Sequence, residues 1–386
     1  MPVKILVVDD EPEMERLIRQ IFRAKVVSNE YEITFANNGV KALEALEADA
    51  DIDIVLSDIN MPQMDGLTFI SKLHDSGAQL KTIMVSAYGD MKNIRTAMNN
   101  GAFDFVTKPI DFDDLQTTMD KTIKEIKGIR EAAEMRDKLQ KIEQELDMAN
   151  RVQQSILPKD FDVLPEGSNL DIYAEMIPAK TVGGDFYDFY VLDDDHLGIV
   201  IGDVSGKGMP AALLMAICQT LMRSTAFNNT SVTDCLNHVN SMLSRDNPQF
   251  MFVTLFYGVL NLKTHVLEYG NCGHNPPCLI KNDGAVVFLE RSTNIPLGIL
   301  NDFQYEARSI QLEPGEGLVL YTDGITEAMD AESNLYTENR LLSFLKQSGT
   351  ATSRDIIKGV VEEVYSFASG APQADDITTV VLQFKR

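Results

Sequence analysis

Between residues 3 and 125 short apolar runs alternate with amphipathic stretches, and this alternation leaves few folds open. The strand-length runs are Ile5 to Val8, Tyr31 to Ala36, Ile54 to Ser57, Thr82 to Ser86 and Phe103 to Thr107. Between and after them lie Met14 to Phe22, Val40 to Leu46, Leu67 to Leu73, Ile94 to Met98 and a stretch opening near Asp111, all with helical spacing. Five strands alternating with five helices predict an α/β fold with a doubly wound parallel five-stranded sheet, whose site lies at the carboxyl ends of the strands.

The next segment has a different period. From Leu115 to Leu157 no strand signal occurs, and Gly128 is the only helix breaker before Pro158. Apolar residues at 132, 135, 139, 142, 146 and 149 step by three and four, followed by polar Gln153 and then Ile156. This is a heptad seam, expected to pair with a second copy as a coiled coil; the alternative is a helix packed on its own domain.

After Pro158 the pattern turns to strands broken by glycine turns: Leu197 to Ile201, Phe252 to Leu260, Val286 to Leu289, Gly317 to Tyr321 and Thr378 to Phe384. Helical stretches at Met209 to Ser224, Val232 to Leu243, Glu338 to Lys346 and Arg354 to Ala368 come in blocks, as in a layered α+β domain. The expected division is 1–125, a helical linker at 126–157, and 158–386.

Composition narrows the function classes. With 58 acids against 34 bases the formal charge is −24, which disfavours nucleic acid and anionic membrane as partners. No apolar run reaches the 18 residues of a membrane span, and no secretory signal precedes Cys218, Cys235, Cys272 and Cys278, which lack close paired spacing. A cytoplasmic protein with reduced, buried thiols is expected.

Eight aspartates and one lysine form two sets. In the first, Asp9 and Asp10 end the first strand, Asp58 ends the third, and Lys108 follows the fifth. Three converging carboxylates repel unless a cation offsets them, and an all-oxygen site suits Mg²⁺. A carboxylate beside Mg²⁺ is a nucleophile toward phosphorus; a facing lysine, and the Ser86 hydroxyl, can bind the phosphoryl oxygens. The second set is Asp185, Asp203, Asp323 and the pair Asp375 and Asp376, each beside glycine or a strand start. Two cations sharing such carboxylates at about 3.5–4 Å can orient and deprotonate a water for in-line attack on phosphorus.

The stretches V-V-D-D, S-D-I-N-M-P-x-M-D-G, S-A and K-P resemble the receiver domain of two-component response regulators. The resemblance implies Asp58 as phosphoacceptor, with Asp10, Asp58 and the Asn60 carbonyl on Mg²⁺ and Asp9 acting through water. It further implies Lys108 on the phosphoryl group, Ser86 as switch hydroxyl, where threonine is frequent in the family, and Phe105 as switch aromatic; an ordinary core role for Phe105 stays open.

The stretches V-G-G-D-F-Y-D from Val182, G-D-V-S-G-K-G from Gly202, Y-T-D-G from Tyr321 and D-D-I-T from Asp375 resemble the PPM (PP2C) family of metal-dependent serine/threonine phosphatases. Within it, the chain is similar to the sporulation and stress-response branch that works by partner switching. The resemblance implies Asp185 and Asp203 bridging two Mn²⁺ or Mg²⁺ ions, with the Val204 carbonyl, Asp323 and Asp375 completing the ligands and the four aspartates as the catalytic residues; Asp188 and Asp376 are secondary candidates. Lys207 fits either a phosphate-steering or a solvated role, and His274, in N-C-G-H-N-P-P, either a proton donor or a turn-fixing residue. The stretch A-N-R-V-Q-Q-S-I-L-P, from Ala149 to Pro158, resembles the entry from a coiled-coil linker into this branch.

Together the resemblances imply a homodimeric response regulator that a separate sensor histidine kinase phosphorylates and whose output dephosphorylates a phosphoserine or phosphothreonine protein, an anti-sigma-factor antagonist. The rival class is a non-enzymatic adaptor that binds a client protein. Adaptors of this fold lack the metal acids, and here the four principal positions are all aspartate.

Overall fold

The computed structural model describes all residues except 1, 79, 88–89, 162–163, 165–167, 229–230, 246, 248–249, 349–350 and 386. It separates into two compact units, Met1–Lys141 and Ile142–Arg386.

The first unit runs β1 (Val3–Val8), α1 (Pro12–Ile21), α2 (Arg23–Val27), β2 (Tyr31–Ala36), α3 (Gly39–Ala48), β3 (Ile54–Asp58), α4 (Gly66–Ser76), β4 (Lys81–Ala87), α5 (Met91–Asn99) and β5 (Asp104–Lys108). The strands form one parallel sheet in the order β2-β1-β3-β4-β5. β1 and β3 are nearly continuous apolar runs because helices cover both faces of the sheet. Ile5, Val7, Ile54 and Leu56 pack with Ile18 and Leu115 on one face, while Leu6, Val8 and Val55 pack with Phe69 and Leu73 on the other. One expectation changes: the first helix is two segments, broken at Phe22, whose buried ring meets Tyr31 edge-on. Asn38 and Asp65 cap α3 and α4 by accepting from the N–H groups of Lys41 and Thr68, as short polar side chains at helix starts do.

The long helix α6 (Phe112–Ile156) is continuous. The second unit follows as β6 (Leu170–Ile177), β7 (Phe186–Val191), β8 (His196–Val204), α7 (Met209–Asn228), α8 (Val232–Arg245), β9 (Val253–Asn261), β10 (Val266–Cys272), β11 (Cys278–Ile280), β12 (Val286–Phe288), β13 (Arg308–Gln311), β14 (Gly317–Tyr321), α9 (Asp323–Thr326), α10 (Thr337–Leu345), α11 (Ser353–Ala368) and β15 (Ile377–Phe384). Two antiparallel five-stranded sheets result, β13-β10-β9-β8-β7 and β12-β11-β14-β15-β6.

The two-residue period of a strand sorts its side chains between layers. Leu318 and Leu320 of β14, with Val380 and Leu382 of β15, join the core that also contains Ile199 and Ile201 of β8. Val319, Tyr321 and Val381 point the other way, onto Ile356, Val360 and Leu341 of α11 and α10. Each fully buried leucine in such a layer contributes about 2–3 kcal/mol. The sheets therefore face each other with helices outside them. All four cysteines are free and buried. Among the described residues no helix is long and apolar enough to cross a membrane.

Candidate functional site

In the first unit the candidate residues gather at the carboxyl edge of the parallel sheet. Ligand oxygens of Asp9, Asp10 and Asp58 all lie within 4.8 Å of one another. The Lys108 ammonium donates to Asp58 Oδ2 at 3.0 Å and to Asp9 Oδ2 at 3.1 Å. Burial lowers the Lys108 pKa, but these two carboxylates outweigh it and hold it above the ordinary lysine value. Burial raises Asp9, against the Glu11 N–H and Lys108, which lower it. Ser86 pairs in register with Thr107, next to Lys108, and its fully buried hydroxyl has no hydrogen-bond partner among the described residues. An oxygen-only donor set beside an orphaned hydroxyl fits a hard cation such as Mg²⁺ and a phosphoryl group. Asn60 is exposed next to Ile59, and Phe105 is half-buried against the cluster of Ile59, Ile70 and Met84. Gly66 explains the D-G of its motif: a Cβ there would stand 2.1 Å from the Asp58 carbonyl oxygen.

In the second unit Asp185 precedes β7, Asp203 lies near the end of β8, Asp323 opens α9 after β14, and Asp375 and Asp376 precede β15. All five therefore stand at one end of the facing sheets. Asp185 is buried; Thr322 Oγ1 donates to it at 2.7 Å and accepts from the Thr378 N–H at 3.0 Å. Burial first, then the charges of Asp203 and Asp376, push the Asp185 carboxyl well above its usual range. Asp203 is pushed up to about 7 by burial and then Asp323, and Asp323 to about 6 by burial, then Glu327 and Asp375. Carboxyls that oppose one another's ionisation this way fit divalent cations. They are spread more widely than the first set: among the described residues only Asp9, Asp10 and Asp58 form a trio within 4.8 Å.

The paired aspartates differ. Asp376 is buried and accepts from the N–H groups of Ala179 at 2.8 Å and Gly184 at 2.7 Å, so it organises the loop before Asp185. Asp375 is more open and forms an ion pair with Lys207 at 2.8 Å. The lysine also donates to the Ala374 carbonyl at 2.7 Å, so it lies on the acid cluster rather than free in solvent. Gly324 must be glycine, because a Cβ would come within 1.9 Å of the Asp376 carbonyl oxygen. The Val204 carbonyl faces Gly184, where a Cβ would stand 2.9 Å away.

Two candidates hold other partners: Asp188 is bound by α7, and His274 meets Thr254, the cross-strand neighbour of Asp203. Asp188 has no exposed surface and accepts from Arg223 Nε at 2.9 Å, from Arg223 Nη2 and from Gln219 at 3.2 Å. Its carboxylate is held by side chains of α7. His274 is buried, its N–H donates to Asn271 Oδ1 at 2.8 Å and its Nδ1 meets Thr254 Oγ1 at 3.1 Å. Burial depresses it to about 4, so it is neutral and fixes the turn at Gly273. Sequence reasoning gave no role to Thr322, although it stands inside the Y-T-D-G stretch, or to Gln153, although it is a polar residue in an apolar seam and lies inside the A-N-R-V-Q-Q-S-I-L-P stretch.

Residues 5–120 match the response regulator receiver domain family, and residues 193–385 match the Stage II sporulation protein E (SpoIIE) family. Protein IcfG of Synechocystis sp. is 31% identical over 280 residues, covering 65% of this chain and 43% of IcfG, less than half of that relative's own length. Phosphoserine phosphatase RsbU of Bacillus subtilis is 29% identical over 246 residues, covering 64% of this chain and 72% of RsbU. The SiaA-PP2C domain of Pseudomonas aeruginosa superposes with a TM-score of 0.57 over 64% of this chain and 98% of that domain, at 21% identity, and so shares the fold. The chain belongs to the SpoIIE family of PP2C-type phosphatases and carries a response regulator receiver domain ahead of the phosphatase domain.

Proposed function

We propose that phosphorylation of Asp58 controls a metal-dependent protein serine/threonine phosphatase whose substrate is a phosphorylated anti-sigma-factor antagonist. The observation that carries this reading is the gathering of Asp185, Asp203, Asp323 and Asp375 at one end of the facing sheets, where burial and neighbouring carboxylates raise the carboxyls of Asp185, Asp203 and Asp323. Asp185 and Asp203, with the Val204 carbonyl, Asp323 and Asp375, would hold two Mn²⁺ or Mg²⁺ ions. Such ions supply a water acidic enough to attack phosphorus in line. The chain's own contribution is positional: Thr322 aims Asp185, Asp376 holds the preceding loop, and Lys207 tethers Asp375. The similarity to phosphoserine phosphatase RsbU supports a phosphoserine or phosphothreonine protein as substrate.

In the receiver, Asp10, Asp58 and the Asn60 carbonyl would hold Mg²⁺, with Asp9 beyond them, and Lys108 would move from Asp58 onto the phosphoryl oxygens. The buried Ser86 hydroxyl then gains the acceptor it lacks, and Phe105 follows. The phosphoryl donor is a separate sensor histidine kinase. Residues 1–125 are the receiver, 126–157 the linker and 158–386 the phosphatase. Met135, Leu139 and Ile142 of α6 are more than half exposed, which supports pairing with the α6 of a second copy. Moving an inactive-to-active ratio from 1:99 to 99:1 needs about 5.5 kcal/mol, more than one hydrogen bond supplies and within reach of a helix interface.

The test is hydrolysis of an aryl phosphate with Mn²⁺, with and without beryllofluoride, in wild type and Asp58→Asn. Mn²⁺-dependent turnover that beryllofluoride alters only when Asp58 is present is the expected result. Absence of turnover toward aryl phosphate and phosphoserine protein alike would sink the enzyme reading in favour of an adaptor.

A further inference from the structure

The last turn of α6 ends on the loop that carries Asp185. Gln153 interrupts the apolar seam of that helix, and it is only 4% exposed. Its amide meets the backbone of one residue twice: Nε2 donates to the Gly183 carbonyl at 2.7 Å and Oε1 accepts from the Gly183 N–H at 3.1 Å. The following N–H, of Gly184, donates to Asp376 Oδ2 at 2.7 Å, and that of Asp185 reaches the same oxygen at 3.5 Å. Three consecutive N–H groups leading into Asp185 are thus committed, the first to the helix and the next two to a carboxylate of the acid cluster. A primary amide donates and accepts side by side in this way, which an ionised carboxylate cannot do.

Two more contacts hold the same end of the helix. Gln219 Nε2 donates to the carbonyl of Ile156 at 3.3 Å, and the Tyr187 hydroxyl donates to the carbonyl of Pro158 at 3.0 Å. The helix end is therefore tied on one side to Gly183 and on the other to Tyr187, just beyond Asp185, and to Gln219 of α7. A side-chain tip stands about 5–6 Å from a helix axis, so a rotation of about 20° moves it about 2 Å, enough to break both hydrogen bonds.

We propose that Gln153 is a positioning residue that sets the Gly183–Asp185 loop from the end of α6, so that a turn or shift of this helix changes the affinity of the acid cluster for divalent cations. This rests on the reading of the cluster as a phosphatase metal site and names the contact through which the helix reaches it.

The experiment uses the full chain. Gln153→Leu keeps the bulk and removes both polar functions; Gln153→Glu keeps an acceptor and loses the donor. Gln154→Leu is the control, since that amide's contact is with Met176 Sδ at 3.6 Å, away from the loop. Mn²⁺ binding is measured by calorimetry, and hydrogen exchange is followed at Gly183 and Gly184 in metal-free protein. Gln153→Leu is expected to weaken Mn²⁺ binding about tenfold or more, the scale on which residues that orient metal ligands act, and to speed exchange at both amides. Gln153→Glu should fall between, and the control should match wild type. Should Gln153→Leu fail to fold, Tyr187→Phe, which deletes a single hydroxyl, must weaken binding in the same direction. Wild-type affinity and exchange in Gln153→Leu, with normal Mn²⁺ binding by the wild type, would overturn the clamp alone. A wild type that neither binds Mn²⁺ nor turns over phosphate would overturn the reading of the site, and faster exchange in Gln153→Leu would then still uphold the contact between helix and loop.

Discussion

Replacing Arg223 by Met strands a carboxylate, and the structure sets bounds on the cost. Asp188 has no exposed surface, and two of the three side-chain hydrogen bonds it accepts come from the Arg223 guanidinium, leaving Gln219 and the Phe189 N–H. Breaking a buried pair from one side costs about 3–5 kcal/mol, because the remaining charge has lost both its partner and its water. Protonation caps the penalty: holding an ordinary carboxyl neutral at pH 7 costs about 4 kcal/mol, at about 1.4 kcal/mol for each pH unit above its unfolded value. Arg223→Met should therefore lose about 3–4 kcal/mol at pH 7. The sign follows from linkage. With Arg223 gone the folded carboxyl is raised further, so the folded state binds more protons than the unfolded one, and stability falls as pH rises above the unfolded value near 4. The deficit should thus be small near pH 4 and complete at neutrality. The reverse change, Asp188→Asn, leaves a cation that is 45% exposed and can take water, and should cost only about 1–2 kcal/mol. Urea denaturation followed by circular dichroism reads both, and Mn²⁺ binding reads the site: Asp188→Asn should keep its affinity whereas Asp185→Asn should lose it. A deficit for Arg223→Met under about 0.5 kcal/mol at pH 7, or equal loss of Mn²⁺ binding in the two aspartate variants, would refute the argument.

Other substitutions probe the remaining parts. Gly324→Ala drives a Cβ onto the Asp376 backbone, which cannot rotate away, and should destabilise the second unit by about 3 kcal/mol or more in thermal unfolding. His274, depressed to about 4, stays neutral in the folded state where an unfolded histidine would charge near 6.5; the folded state gives up about 3 kcal/mol as pH falls between those values, and His274→Gln should remove that slope from the pH–stability curve. Asp203→Asn should abolish Mn²⁺-dependent hydrolysis yet leave Asp58 phosphorylation by a small-molecule donor intact; equal loss of both would contradict two independent pockets. Leu139→Pro breaks α6 at a cost of about 3 kcal/mol and should shift the chain toward monomer in ultracentrifugation, an unchanged state being evidence against the paired-helix account.

The parallel sheet was legible because its signals are local. Each strand is a short apolar run, and Asp9, Asp58, Ser86 and Lys108 follow those runs or end them. The break at Phe22 was not legible, since it arises from packing on Tyr31, nine residues away and on another element. In the second unit β8, β9, β14 and β15 stood out through long apolar runs, whereas β13 is four residues long and half-buried or exposed throughout, and β11 is only three residues long. Such pieces are strands only because β10 and β14 present an edge to pair with. The strand reading also left out β7, whose sequence F-Y-D-F-Y-V contains an aspartate at an interior position. A buried charge is a poor strand residue until its partner is known, and the partner, Arg223, lies 35 residues further on.

The same aspartate shows why motif letters do not rank the members of a site. In V-G-G-D-F-Y-D the two acids are three residues apart and chemically identical, yet the backbone sends them to different tasks. Asp185 stands in the loop before the strand, where consecutive N–H groups bind Gln153 and Asp376, and Thr322 can reach its carboxylate. Asp188 stands within β7, on the same side as Tyr190, over whose ring the Arg223 guanidinium sits at 5.6 Å. Strand alternation places Tyr187 on the opposite side, where its hydroxyl meets Pro158. One short stretch therefore joins the acid cluster, the end of the long helix and α7. Its aspartates are told apart by what the strand pairs with, and that depends on residues distant in the chain.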